Sequence, residues 1–231
     1  MRLDKFLANA GVGSRKQVKV LLKKGKVLVN NETVKSPKHK VRPHQDCVVV
    51  NGEVIEYEPF VYLMLNKPAG IISATEDESQ MTTIDMIDGY DHLNLFPVGR
   101  LDKDTEGLIL ITNDGAFNHR VMSPNHHVPK QYYVELAHSV EPSAVEQFAV
   151  GIELKEGLLK PAELEILEPD NCARVTIHEG KYHQVKRMFH AVDNEVVYLK
   201  REAIGSLELD PTLAKGDYRK LSAEELALFE D

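Results

Sequence analysis

The chain has no tryptophan and only two cysteines in 231 residues. Nowhere does it carry the run of about 18 apolar residues that a membrane-crossing helix needs. Cys47 and Cys172 lie far apart and form no CxxC pair, so no disulfide framework is expected, and two free, buried thiols fit a reducing compartment. The opening "MRLDKFLANA" carries charge where a signal peptide needs an apolar core. A soluble, cytoplasmic protein is the expectation, with no membrane partner. There is no Walker loop, no GxGxxG and no HExxH, so neither a nucleotide cofactor nor a metal is expected. Repeats and low-complexity segments are also absent.

What is present is a split in charge. Residues 1–58 hold 12 Lys and Arg against 6 Asp and Glu, a net of +6. Residues 59–231 hold 16 against 30, a net of −14, which brings the whole chain to −8. A basic head on an acidic body suggests that the head meets phosphates; on charge alone, a solvated lysine-rich helix explains the same pattern.

The head reads as a self-contained module. Leu3, Phe6, Leu7 and Ala10 repeat at helical spacing over 2–10. "GVGS" breaks that helix, and Ser14 can cap a second one over about 15–24. In the second helix Val18, Leu21 and Leu22 form the inner stripe, and Arg15, Lys16, Lys19 and Lys23 point outward. Two strand pairs follow, turning at Asn30–Asn31 and at Asn51–Gly52. "YEPF" (57–60) reads as the linker, and 59–231 as a second domain. That domain shows short, β-branched strands with few crossover helices, and its helices fall near 116–122, 142–150 and 183–192. The pattern predicts an α+β fold on a mostly antiparallel sheet.

"GRLDKDTEGLIL" (99–110) invites a calcium reading, since Asp102, Asp104, Glu106 and Gly107 occupy the opening positions of an EF-hand loop. The position for the bidentate Glu is Asn113, however, and Pro97 and Gly99 break the entering helix. An aspartyl-phosphate site needs an apolar strand running straight into the Asp, and Gly99 and Arg100 intervene. Two readings survive: a turn whose acids merely cap, or one working carboxylate, Asp102, preceded by the Arg100 guanidinium.

"LNKPAG" (65–70), "GRLDKDTEGLILITNDG" (99–115), "KQYY" (130–133) and "EGKYHQVKRMF" (179–189) stand in the order found in bacterial ribosomal-RNA pseudouridine synthases. The head resembles the RNA-binding domain first seen in ribosomal protein S-four, so the resemblance covers nearly the whole chain. "SPNHHVPKQYYVEL" and "GKYHQVKRMF" look most like the small-subunit branch of that family, where large-subunit enzymes usually read closer to GRNRQIRRM.

The resemblance implies isomerisation of one uridine in 16S rRNA, free or within a small-subunit assembly intermediate, by a monomer without cofactor. The uracil is detached at its ring nitrogen, rotated and rejoined through its 5-carbon, so nothing is oxidised, reduced or added. A carboxylate can attack either the sugar or the base and leave again. The base must first be flipped out of its stack. The family's catalytic aspartate falls on Asp102, its stacking tyrosine on Tyr132, and the basic partner of the aspartate on Lys186. Arg100 is implied to fill the vacated position or hold the flipped backbone. Arg187, about 100° round the helix from Lys186, is expected to meet RNA or solvent. Arg100, Lys186 and Arg187 are together expected to make a local basic cleft. Tyr133, alternating to the other face, is expected in the core, and Asp104 and Glu106 are expected as turn residues. Asn66, Lys67 and Pro68 are implied to shape the loop beneath the site. His183 is left between RNA contact and a helix-start hydrogen bond, and RNA contact is open for His126 and His127. A 23S or tRNA target, or a non-catalytic assembly factor, are the rival readings.

Overall fold

The computed structural model describes residues 1–123 and 128–230, so His126 and His127 lie outside the described residues. Two units form. One comprises Met1–Val61 with Asp88–Leu95, the other Tyr62–Ile87 with Phe96–Asp231.

In the first unit, helices α1 (Leu3–Asn9) and α2 (Arg15–Lys23) precede strands β1 (Val27–Val29), β2 (Glu32–Thr33), β3 (Val48–Val50) and β4 (Glu53–Val54), ordered β2-β1-β3-β4 in an antiparallel sheet. Ser14 accepts from the Gln17 amide while the Gln17 side chain accepts from the Ser14 amide, a complete capping box that sets where α2 begins. Asn30, Asn31, Asn51 and Gly52 all have positive φ, the backbone that tight two-residue hairpins demand. Leu3, Phe6, Leu7, Val18 and Leu22 close over Val27, Val29, Val48 and Val50 as one core. Arg15, Lys19 and Lys23, four residues apart, share the outer face of α2 with Lys16 beside them, and all four are exposed. Cys47 is also exposed, against the expectation of two buried thiols. Cys47 sits at the start of a hairpin held by Asn30, whose side-chain oxygen accepts from the Cys47 amide, so its backbone rather than its thiol is used.

The second unit runs β5 (Tyr62–Lys67), β6 (Phe96–Val98), β7 (Glu106–Thr112), α3 (Gly115–Met122), β8 (Lys130–Leu136), α4 (Ser143–Val150), β9 (Glu153–Leu154), β10 (Gly157–Leu158), β11 (Glu163–Ile166), β12 (Cys172–Ile177), α5 (Gln184–Ala191), β13 (Val196–Ile204), β14 (Leu207–Glu208), β15 (Tyr218–Lys220) and α6 (Ala223–Ala227). Its sheet is ordered β11-β12-β8-β13-β7-β5-β15, with β6 on β7 and β14 on β13. Every strand pair is antiparallel except β13 with β7. This is the α+β, mostly antiparallel architecture that the strand pattern predicts. All seven residues of β7 are buried, as befits a central strand. Strand β8 alternates buried and half-buried, so one of its faces lines the interior. Strands β6, β9, β10 and β15 escape the sequence reading: β6 contains Pro97, and Tyr218-Arg219-Lys220 shows no apolar period. Their pairing partners, not their own residues, make them strands.

Candidate active site

The "GRLDKDT" loop leaves β6 and enters β7, and main-chain anchors hold it. The Ser73 hydroxyl donates to the Leu101 carbonyl at 3.0 Å and accepts from the Leu101 amide at 2.9 Å. The Gly70 amide donates to the Lys103 carbonyl at 2.7 Å. Lys67, at the end of β5, is fully buried. Its ammonium donates to the carbonyls of Pro68 (3.0 Å), Lys103 (3.2 Å) and Thr105 (2.7 Å). A lysine with three carbonyl acceptors and no carboxylate in hydrogen-bond reach acts as a peg under the loop that presents Asp102.

Burial pushes the Lys67 pKa down to about 8, against the pull of Asp104, Glu106 and Asp102. Lys130 is pushed down to about 8 as well, by burial and by the charge of Arg201. Between pH 8 and 10 these two positions therefore hold more protons in the unfolded chain than in the native one, and their contribution to stability rises with pH. Each lysine adds at most about 1.4 kcal/mol per pH unit. Urea unfolding at pH 8 and pH 10 should show this rise, and a Lys67→Met protein should show less of it. An equal rise in the variant would remove Lys67 as its source.

Lys186, on α5, reaches over the loop from the other side. Its ammonium lies 3.1 Å from Asp102 Oδ2 and 2.6 Å from Asp104 Oδ1. Burial opposes the charge on Lys186, but the two carboxylates outweigh it and raise its pKa above the ordinary lysine value. The bond from Lys186 holds Asp104 below the usual carboxylate range, although partial burial opposes this. Asp104 is thus more than a turn residue, because it shares the cation expected for Asp102. Nor is Glu106 one. It opens β7, buried, accepting from the Tyr198 hydroxyl at 2.6 Å and pairing with Lys215 at 2.7 Å.

Tyr132, on β8, is 8 % exposed and lines the same cleft as Asp102 and Lys186. The neighbouring Tyr133 points to the opposite face but is only half-buried, its hydroxyl shared between Glu135 and Cys172, which departs from the expected core role. Arg100 is exposed at the cleft and makes no ion pair among the described residues. Arg187 does not line the cleft: it turns to Glu156 and to the Tyr182 carbonyl. The expected patch of Arg100, Lys186 and Arg187 is therefore corrected, because one helical step carries Arg187 out of the cleft. The cleft is basic nonetheless. It occupies about 1220 Å³, and its lining holds six Lys and Arg, namely Arg100, Lys103, Lys130, Lys181, Lys186 and Arg201, against the two acids Asp102 and Glu179. A locally positive cleft can attract a polyanion into an acidic body.

For His183 the sequence left RNA contact and a helix-start hydrogen bond both open. It precedes α5 with φ 47° and no capping hydrogen bond from its side chain. Its Nε2 lies 3.5 Å from Asp102 Oδ1, and its ring stacks on Tyr182 with centroids 3.8 Å apart. A non-glycine residue in the left-handed region costs energy and is common at functional sites. The only signal in the sequence is the histidine's place just before a helical period.

Residues 61–191 match the family of RNA pseudouridylate synthases, and residues 1–47 match the S4 domain. The chain is 48 % identical to the RNA pseudouridine synthase YtzG of Bacillus subtilis (strain 168), over 100 % of this chain and 99 % of that one. It is 43 % identical to the ribosomal small subunit pseudouridine synthase A of Escherichia coli (strain K12), over 98 % and 99 %. A crystal structure of a pseudouridylate synthase superposes with a TM-score of 0.71 at 40 % identity, covering 99 % of each chain. The chain belongs to the RNA pseudouridine synthase family and carries an S4 domain at its N-terminus. Among the described residues no helix is long and apolar enough to cross a membrane.

Proposed function

We propose that this protein converts one uridine of 16S ribosomal RNA to pseudouridine, with Asp102 as the nucleophile. The observation that carries the reading is one carboxylate, Asp102, paired to Lys186 at 3.1 Å on a pegged loop inside a basic cleft. Lys186 sets a positive charge beside the attacking carboxylate of Asp102 and aims it. Tyr132 is the face on which the flipped uracil stacks, an interaction of roughly 1–3 kcal/mol. Arg100, with no ion pair among the described residues, fills the position the base vacates or holds the flipped backbone. An isomerisation consumes no donor, so no cofactor enters.

Residues 1–58 dock on the RNA and 59–231 carry out the chemistry. The enzyme acts as a monomer in the cytoplasm, on 16S rRNA or a small-subunit assembly intermediate. The 16S assignment is supported by relatives named as small-subunit enzymes at 43–47 % identity. Mapping pseudouridine in 16S and 23S rRNA of a deletion strain tests activity and target together. One missing 16S site is expected; a missing 23S site instead would move the target, and an unchanged map would end the reading.

Docking through α2 rests on phosphates, which makes it salt-sensitive. Lys19→Ala should weaken RNA binding and lower the slope of log K against log salt by about 0.7–0.9, with the single-turnover rate at saturating RNA unchanged. A slope equal to wild type would take Lys19 out of the phosphate contacts.

A further inference from the structure

The floor of the cleft holds charge that the reading above leaves unused. Arg201, on β13, is 3 % exposed, and its Nε donates to the Leu108 carbonyl at 2.8 Å. A guanidinium has five N–H donors. Here Nη2 is buried without a partner, and no carboxylate pairs with Arg201 among the described residues. Lys130, on β8, is 8 % exposed, and among the described residues its ammonium donates to one acceptor, the Val128 carbonyl at 2.8 Å. Both line the cleft that holds Asp102. Register sets Arg201 opposite Tyr132, and Lys130 two residues before Tyr132 on the same face of β8. Two neighbouring buried cations with no anion beside them among the described residues are unfavourable in the free protein. Negative charge arriving with the substrate would compensate them.

That charge belongs to the base. Phosphates remain on the continuous RNA backbone, at the mouth where Arg100 is exposed, whereas the floor beside Tyr132 receives the flipped ring. If Asp102 displaces the ring from C1′, a C1′–O bond forms and the electrons of the C1′–N1 bond stay on the uracil, spread over N1, O2 and O4. If Asp102 adds to C6, the electrons of the C5–C6 double bond move out as an enolate on O4. On either route C5 finally bonds C1′, the carboxylate leaves with its electrons, the C5 proton is lost and N1 gains one. Negative charge on the ring oxygens is common to both.

We infer that Arg201 and Lys130 form a cationic subsite for the carbonyl oxygens of the flipped uracil, which stabilises the negative charge the ring acquires as its bond to the ribose breaks. This rests on Asp102 as nucleophile and Tyr132 as the stacking face. Donors fixed before the reaction where charge will develop act most strongly in a water-poor site.

The test compares wild type, Arg201→Gln, Arg201→Lys and Asp102→Asn in single turnover on a 16S fragment. Each is run with uridine and with 5-fluorouridine at the target position, and consumption of the target nucleoside is read by digestion and chromatography. Arg201→Gln should react about 10²-fold more slowly while binding the RNA within a few-fold of wild type, and Arg201→Lys should recover part of the rate. Fluorine at C5 withdraws electrons, so the ring bears negative charge with less help. The defect of Arg201→Gln should therefore shrink on the fluorinated RNA. An unchanged rate, or an equal defect on both substrates, overturns the subsite, the latter by marking a purely structural role. Activity in Asp102→Asn overturns the nucleophile assignment instead, whatever Arg201 does. If thermal melting shows Arg201→Gln unfolded, Lys130→Met, which gives up one hydrogen bond, is held to the same outcomes.

Discussion

Asp102→Asn is expected to abolish pseudouridine formation and leave RNA binding within about twofold of wild type. The amide keeps the shape of the carboxylate and loses its nucleophilic charge. The loop does not depend on that charge, because Ser73 holds Leu101 and Lys67 holds Lys103 and Thr105 through their main-chain atoms. Lys186 is not orphaned either, since Asp104 remains 2.6 Å away. A fall of at least about 10⁴-fold is the scale for removing a group that attacks covalently. Release of tritium from RNA labelled at uridine C5 reads the reaction, and filter binding reads affinity. Continued release in the variant would sink the mechanism, and joint loss of binding would mean that Asp102 holds the fold instead.

Gly107→Ala is expected to produce the largest loss of stability. Gly107 stands in β7 with φ +100°, a conformation that side-chain-bearing residues rarely adopt. A Cβ there would lie 2.2 Å from the Arg201 carbonyl oxygen and 2.9 Å from its nitrogen. Both atoms are backbone and belong to the one parallel pairing of the sheet, β13 on β7, so neither can swing aside. Strain and overpacking together amount to about 3–5 kcal/mol, which lowers Tm by roughly 10 °C or more in a protein of this size. Gly52→Ala is the control. Its φ is +89°, but nothing lies within 4 Å of the added Cβ, so it bears strain alone. Equal shifts in the two variants would show that the close approach of β7 and β13 contributes nothing.

The N-terminal helices were legible in the sequence because their determinants are local. The Leu3-Phe6-Leu7 period and the Ser14 cap lie within one or two turns, and each is in place in the structure. The helices at 115–122, 143–150 and 184–191 were visible for the same reason. The set Asp102, Tyr132 and Lys186 was legible only through the motif order. Taken alone, each residue reads as a turn acid, a strand tyrosine or a solvated lysine, and nothing in spacing brings positions 102, 132 and 186 together. Arg187 shows the limit of a motif: the string names it, while the helix turns it onto Glu156.

The sequence by itself determined the basic head, the strand-rich body, the capped helices and, through its motifs, the family. Tertiary structure alone decided which charges meet. It placed Lys186 between Asp102 and Asp104, buried Lys67 under the loop, and left Arg201 and Lys130 on the cleft floor with no anion among the described residues. The physical reason is range. Helical periods and caps act over a few residues, whereas the pairing of β13 with β7 and β8 joins positions about 60 to 95 apart. The balance of burial and charge at each group depends on that pairing.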